Sequence, residues 1–304
     1  MLAATGPEEQ LVVLDGSDRL VGRCSLWCDG TPELWGETTG LIGHYAVSSR
    51  EASDALLDEA VRWIKARGAA LAVGPMDGST WNPYRLITER GSRPAFLMEP
   101  DHPEAWPGYF RGAGFVPAAE YFSSGVEDLT RRQPKYERLE RRLQEQGMRI
   151  EPFDPDRFEA ELGEVYELSV EAFADNLMYT PISREAFLGM YEPLRGRLVP
   201  ELVLMARQDG VLKGYVFAVP DALQAQRGEP IDTVVVKTLA VRRGRAIAGL
   251  GGVLLERCHL AAHGLGFRGA IHALMHETNK SKNLSGFYGP TFRRYTLFYK
   301  RVAR

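Results

Sequence analysis

Apolar positions in the second half of the chain switch between a period of two and a period of 3.6. MRIEPF (148–153) alternates and predicts a short strand. DPDRFEAELGEVYELSVEAFA follows as a helix, opened by Asp154 with Pro155 just inside, a favoured helix start. SREAFLGMYEPL predicts a second helix with Ser183 as its N-cap. ELVLMARQDG and VLKGYVFAVP are two apolar runs around Gln208-Asp209-Gly210, which signals a hairpin. A β-branched strand, DTVVVKTLAV (232–241), then enters a glycine-rich turn, and the helical pattern VLLERCHLAAHGL leaves it. GFRGAIHALMH is the next strand, with Ile271, Ala273 and Met275 on one face of an ideal pleat. A short helix over 279–288 is stopped by Gly289-Pro290, and TFRRYTLFYKRV (291–302) is a last strand. The predicted order is β-α-α-β-β-β-α-β-α-β.

The first half repeats the later part of that order. LVVLDGSDRLVGRCSLW is a hairpin around Asp15-Gly16, and TTGLIGHYAV (38–47) is a strand. A helix closed by Gly68 follows, then the strand ALAVGP, a short helix over 106–115 and a final strand, AAEYFSSGV. The repeat indicates an internal duplication. The division expected is a truncated first unit over 1–130, a linker helix over 131–147 and a complete unit over 148–304. The Pro-rich stretch 92–107 is an irregular insertion. VGPMDGSTW (73–81) is a second irregular feature, open between a structural turn and a loop facing an acceptor pocket.

Composition narrows the function classes. The chain has 304 residues, 44% hydrophobic and 25% charged, as in ordinary globular proteins. A net charge of −3 gives no global field for nucleic acid or an anionic membrane. The basic run RRQPKYERLERRL is interleaved by Glu137 and Glu140 and reads as a solvated linker helix. No run of about 18 apolar residues would span a bilayer, and residues 1–10 lack the features of a signal peptide. Cys24, Cys28 and Cys258 form neither a disulfide framework nor a metal-ligand set. A cytoplasmic chain with no metal, no nucleic acid and no membrane partner is the expectation.

The turn VRRGRAIAGLGGVLL (241–255) carries the most chemistry. Gly249, Gly251 and Gly252 would leave room for an anion to approach the backbone at a helix start, where unpaired N–H groups and the helix dipole favour negative charge. A dinucleotide fold would need a third glycine at another offset, and a P-loop would need Gly-Lys-Ser/Thr; neither is present.

Element order and turn together resemble the GCN5-related N-acetyltransferase (GNAT) superfamily, over nearly all of 148–304 and more weakly over 10–126. The family's pattern is Val-x-x-x-x-[Arg/Gln]-x-x-Gly-x-[Gly/Ala]. Val241, Gly249 and Gly251 match it, and Leu254-Leu255 match the helix beyond. Ala246 stands at the Arg/Gln position, a departure, with Arg245 one residue earlier as a possible cation. Asn279, Ser281 and Tyr288 fall where the family's later helix carries an Asn and then a Tyr, with Ser281 nearer the expected Asn position. The last strand, RRYTLFYKR, is similar to a bacterial subgroup with two tandem halves. The fold class implied is α/β (α+β): two tandem GNAT-like domains, each a mixed, mostly antiparallel sheet flanked by helices.

The resemblance implies an N-acetyltransferase that moves an acetyl (acyl) group from acetyl-CoA to a primary amine of a small molecule or peptide. The pyrophosphate would meet Arg245, Ala246, Gly249, Leu250, Gly251 and Gly252, with Asn279 and Ser281 nearby. Backbone groups near Leu239 and Val241, on a strand splayed from its neighbour, would pair with the pantetheine amides. Tyr288 would protonate the leaving thiolate, with Tyr295 and Tyr299 as alternates. Candidate bases are Asp232, Glu229 and Glu277, with His272 and His276 taken to share one strand face. Lys237 is either an inward lysine for an acidic substrate or a solvent-facing one sharing its side with Val235 and Leu239. The first half has no glycine between Val47 and Gly68, and Asp54, Asp58 and Glu59 on its first turns would repel a phosphate and cap the helix instead. That half is expected not to bind CoA, leaving it to complete the pocket, form a homodimer surface or stabilise its partner. An acyl-CoA sensor or scaffold of the same fold, and a tRNA-dependent aminoacyl transferase, are the alternative readings.

Overall fold

The computed structural model describes residues 6–277 and 281–302. In the first half, β1 (Glu9–Leu14) and β2 (Leu20–Trp27) form the hairpin, followed by β3 (Thr39–Val47), α1 (Arg50–Ala66) and β4 (Leu71–Gly74). Then come β5 (Leu86–Glu89), α2 (Trp106–Gly112) and β6 (Val116–Val126), and the linker is helical as α3 (Pro134–Glu145). The second half runs β7 (Arg149–Pro152), α4 (Phe158–Phe173), α5 (Arg184–Tyr191), β8 (Val203–Gln208), β9 (Val211–Pro220) and the single turn α6 (Leu223–Gln226). It finishes β10 (Thr233–Val241), α7 (Leu250–Gly264), β11 (Gly269–His276), α8 (Ser281–Tyr288) and β12 (Thr291–Arg301). β5 is the strand that the pattern left unassigned.

Local capping follows the sequence. The Ser183 side chain accepts from the Ala186 N–H at 3.1 Å and opens α5. Asp154 accepts from the Asp156 N–H at 3.0 Å, starting a short 3-10 turn that leads into α4. α1 corrects one expectation. Its cap is the Ser49 hydroxyl, which accepts the Ala52 N–H at 3.2 Å, while Asp54 and Glu59 pair with Arg50 and Arg62 on the helix surface. A hydroxyl at the N-cap is one residue outside the helix and reaches the free N–H groups, which carboxylates a turn further in cannot.

The strands form one sheet in the order β1-β2-β3-β4-β12-β6-β11-β10-β9-β8-β7, with β5 added to β12. The two halves exchange their last strands. β12 pairs antiparallel with β4 of the first half, β6 pairs antiparallel with β11 of the second, and the two exchanged strands pair with each other. Chain segments and sheet halves therefore do not coincide.

α1 and α2 cover the first half, where Leu56, Ile64, Phe110 and Phe298 share a core. α7 packs Leu250, Leu254 and Cys258 against Val234 and Val236 of β10, with Leu143 of α3 and Tyr288 in the same cluster. α4 and α5 cover the other face of the second half through Phe158, Leu162, Phe187 and Phe217.

Candidate functional site

β10 and β11 run parallel and paired only from Thr233–Gly269 to Val236–His272. Beyond that point they part. β10 stays paired with β9 as far as Val241–Gly214, so its other edge, from Lys237 to Val241, faces the gap. Two bulges accompany the parting. On β10 the register slips between Val236 and Thr238, and on β11 between His272 and Met275, with Leu274 at φ 59°. An extra residue shifts the alternation by one and turns later side chains to the opposite face.

The bulges correct three face assignments. His272 lies against His259 of α7, whereas His276 packs edge-on to Tyr121 of β6, on the other face. On β10, Val235 joins Phe96, Ile271 and Ala273, but Leu239 joins the α7 side. Met275 likewise leaves the face of Ile271 and accepts a hydrogen bond from Ser285 at its sulfur, at 2.9 Å.

α7 begins at the gap. Gly249 is its N-cap residue, left-handed at φ 92°, without a side-chain cap hydrogen bond. Gly244, Arg245, Ala246, Ala248 and Gly249 are exposed, while Leu250 is fully buried and offers only its backbone. The glycines do not all leave room for a ligand, as the spacing suggested. A Cβ on Gly252 would lie 2.2 Å from the Tyr136 ring, and one on Gly249 would lie 2.6 Å from Leu139 Cδ2. Both positions are taken by the linker helix α3. At Gly251 a Cβ would meet only Leu239 and Val241, at an ordinary 3.6 Å. α3 also brings a cation: Arg142 Nη2 donates to the Ala246 carbonyl at 3.4 Å, at the position where the motif departs. The spacing Tyr136, Leu139, Leu143 was a legible apolar stripe, but nothing in it named its target.

Tyr288 ends α8 and is 4% exposed. Its hydroxyl donates to Glu256 Oε1 of α7 at 2.7 Å. Burial first, then Glu256, pushes the phenol well above its ordinary value. Glu256 also accepts the Gln133 N–H at 2.6 Å and lies 3.4 Å from Arg132 Nε. Arg132 in turn reaches Glu140 at 3.4 Å, and Arg257 binds the same carboxylate. A lone Glu in an apolar helix was the overlooked signal for this network. Asn279 lies outside the described residues. Ser281 is the first residue of α8, and its side chain is likewise not described.

The other candidates are spread. Asp232 accepts from Gln224 at 2.8 Å and Glu229 binds Arg227, both at the far end of β10 from the start of α7. Glu277 pairs with Arg294. His272 bridges His259 Nε2 and Ser285, each at 2.9 Å, and burial holds both imidazoles in the neutral form by lowering their pKa. Tyr295 is fully buried between Ser123 and Glu99, and Tyr299 packs edge-on to Trp35. Cys258 is fully buried, and its thiol is pushed up to about 12 by burial. Among the described residues no group of three metal-ligating side chains forms a site, and no helix is long and apolar enough to cross a membrane.

The first half has the equivalent fork, and it is filled by the chain itself. β3 and β4 pair only from Thr39–Leu71 to Leu41–Val73. The chain after Gly74 then runs into the opening: the Met76 N–H donates to the Ile42 carbonyl at 2.8 Å, and the His44 N–H donates to Asp77 Oδ1 at 2.6 Å. A Cβ on Gly43 would lie 2.3 Å from the Met76 carbonyl. The same loop continues to Trp81, whose indole donates to the Thr180 carbonyl at 2.7 Å between α4 and α5.

The fold is similar to that of GCN5-related N-acetyltransferases, a tandem one among them. It is similar to a GCN5-related N-acetyltransferase from Sphaerobacter thermophilus at TM-score 0.53 and 14% identity, covering 98% of this chain and 82% of that one. It is also similar to a tandem GNAT protein from the clavulanic acid biosynthesis pathway, at TM-score 0.52 and 16% identity, covering 98% and 85%. These likenesses show the fold. By sequence, 224 residues are 25% identical to a bacterial ceramide synthase of Caulobacter vibrioides, covering 72% of this chain. The chain spans 58% of the length of that relative. No family model matches the sequence.

Proposed function

We propose that this chain is an acyl-CoA-dependent N-acyltransferase acting on a primary amine by direct attack in a ternary complex. The parting of β10 and β11 beside the start of α7 is the observation that carries the reading. The unpaired edge of β10 offers backbone groups to the amides of a pantetheine arm, as strand addition does for a peptide. The pyrophosphate fits the first turn of α7 at Gly251, with Arg142 and Arg245 as its cations.

In the reaction, the neutral amine nitrogen bonds to the thioester carbonyl carbon. The carbonyl oxygen takes the negative charge, and a backbone N–H at the β10 bulge is the proposed donor to it. Collapse breaks the carbon–sulfur bond. The nitrogen gives up a proton to solvent or a base, and the thiolate takes one up, so the products are amide and free thiol. Tyr288 is the proposed donor of that proton, with Glu256 behind it. The curated relative's name adds long-chain amines to the acceptors worth assaying.

Calorimetric titration with acetyl-CoA and a longer acyl-CoA, on wild type and Gly251→Asp, tests the placement. A carboxylate there should repel the phosphates and weaken binding by several kcal/mol on an order-of-magnitude basis. Equal affinity in both proteins refutes it. Tight binding without turnover across an amine panel would favour a sensor over an enzyme.

A further inference from the structure

Lys237 is the extra residue of the β10 bulge and emerges where β10 and β11 part. Burial first, and then the positive charge of Arg85, lowers its ammonium to about 8. Arg85 comes from the first half of the chain, just before β5. Its backbone sits at φ 74°, held by an N–H bond to the Pro75 carbonyl at 2.9 Å. A left-handed conformation in a non-glycine residue is strained and persists only where its surroundings impose it. The guanidinium carbon lies 3.8 Å and 4.0 Å from the ring centres of Tyr84 and Tyr121. Nη1 reaches the Leu274 carbonyl, on the β11 bulge, at 3.3 Å. Nε is buried without a partner, in a side chain whose residue is 7% exposed.

His276, packed on Tyr121, is kept neutral by burial and by the Arg85 charge. Glu277 raises the pKa of His276, but its own carboxylate is engaged by Arg294. Among the described residues no carboxylate forms an ion pair with Lys237 or Arg85. Aromatic faces compensate Arg85 in part. A buried guanidinium with an unsatisfied N–H, beside a half-buried ammonium, calls for an anion.

We propose that Lys237 and Arg85 form an oxyanion site at the fork, taking a carboxylate or phosphate monoester carried by the acceptor amine. Its place next to the reacting carbonyl rests on the acyl-transfer reading above; the anion site itself does not. One half of the chain supplies each cation. This gives the first half, whose own fork is plugged, a part in recognition.

Thermal unfolding at matched ionic strength tests the site directly, with inorganic phosphate or acetate against chloride. The proteins are wild type, Lys237→Met and Lys237→Arg. Stabilisation by one of the two anions is expected in wild type, lost in Lys237→Met and kept in Lys237→Arg. A shift of equal size in Lys237→Met, or none in wild type, overturns the proposal. Acceptor pairs with acetyl-CoA then identify the anion: glycine against methylamine, and phosphoethanolamine against ethanolamine. The anionic member should be preferred by about tenfold or more in kcat/KM, and the preference should vanish in Lys237→Met. A Lys237-dependent shift with no turnover on these acceptors or on long-chain amines supports the anion site and refutes the acyl-transfer reading. Turnover without preference and without a shift does the reverse.

Discussion

The hydroxyl of Tyr288 donates to Glu256 at 2.7 Å, across the packing of α8 on α7, and both residues are buried. The same Glu256 oxygen accepts the backbone N–H of Gln133, at the start of the linker helix. One carboxylate thus ties together the proposed proton donor, α7 and the helix that covers its glycines. The phenol proton proposed for transfer to the thiolate is the one Tyr288 donates to Glu256 in this hydrogen bond.

Tyr288→Phe should therefore have two separable effects. Removing one donor from a buried carboxylate should cost about 1–3 kcal/mol of stability, read from urea unfolding. If Tyr288 is the acid, kcat with acetyl-CoA should fall by roughly a hundredfold while the KM for acetyl-CoA changes little. Loss of stability with unchanged kcat would leave Tyr288 a purely structural group.

The linker helix explains two glycines by packing, and double mutants can show it. Gly252→Ala places a Cβ against the Tyr136 ring and should destabilise by about 1–3 kcal/mol. Tyr136→Ala in the same chain should recover part of that loss, because the clash goes with the ring. Gly251→Ala meets only ordinary contacts and should fold as wild type. Additive costs for Gly252 and Tyr136 would contradict the contact.

The insertion over 92–107 is anchored by a buried ion pair. Arg293 of β12 and Glu99 bind each other with both side chains fully buried, and Arg293 Nε also donates to the Arg90 carbonyl at 2.7 Å. Arg293→Met should cost about 3–5 kcal/mol by leaving the buried Glu99 without its counter-charge. Replacing both residues, as Arg293→Met with Glu99→Leu, should cost less than the single change. Denaturant midpoints decide between them.

The histidine pair sets an acid limit on stability. Burial lowers His259 to about 4, and His272 is lowered by burial and then by His259. Each imidazole is neutral in the fold but takes up a proton near pH 6.5 once unfolded. The unfolded state therefore binds more protons between the two values, and stability falls as pH falls through that window. Each histidine can contribute up to about 1.4 kcal/mol per pH unit below 6.5, until the folded form titrates. His259→Gln should flatten the decline between pH 6.5 and 4 in thermal unfolding. An unchanged slope would show that other groups dominate.

The first-half fork offers a control. Asp54→Gly removes a carboxylate from α1 but leaves Met76 and Asp77 in the opening, so acyl-CoA affinity should be unchanged. A fall in affinity equal to that of Gly251→Asp would implicate the first half in binding.

The amino-acid sequence by itself determined the order of the elements apart from β5 and the single turn α6, the repeat of that order, the cap at Ser183, the hairpin at Asp209-Gly210 and the glycine turn before α7. These rest on periods and turn chemistry that neighbouring residues carry among themselves. Tertiary structure decided the rest. Which strand lies beside which is a matter of long-range pairing, so the exchange of β6 and β12 left no local mark. Single-residue bulges at Lys237 and near Leu274 reversed the faces of Leu239 and His276, because a period of two is lost with one extra residue. The glycines were legible as space, but only the packing of Tyr136 and Leu139 showed that two of them are filled from within the chain and that Gly251 is the one left open.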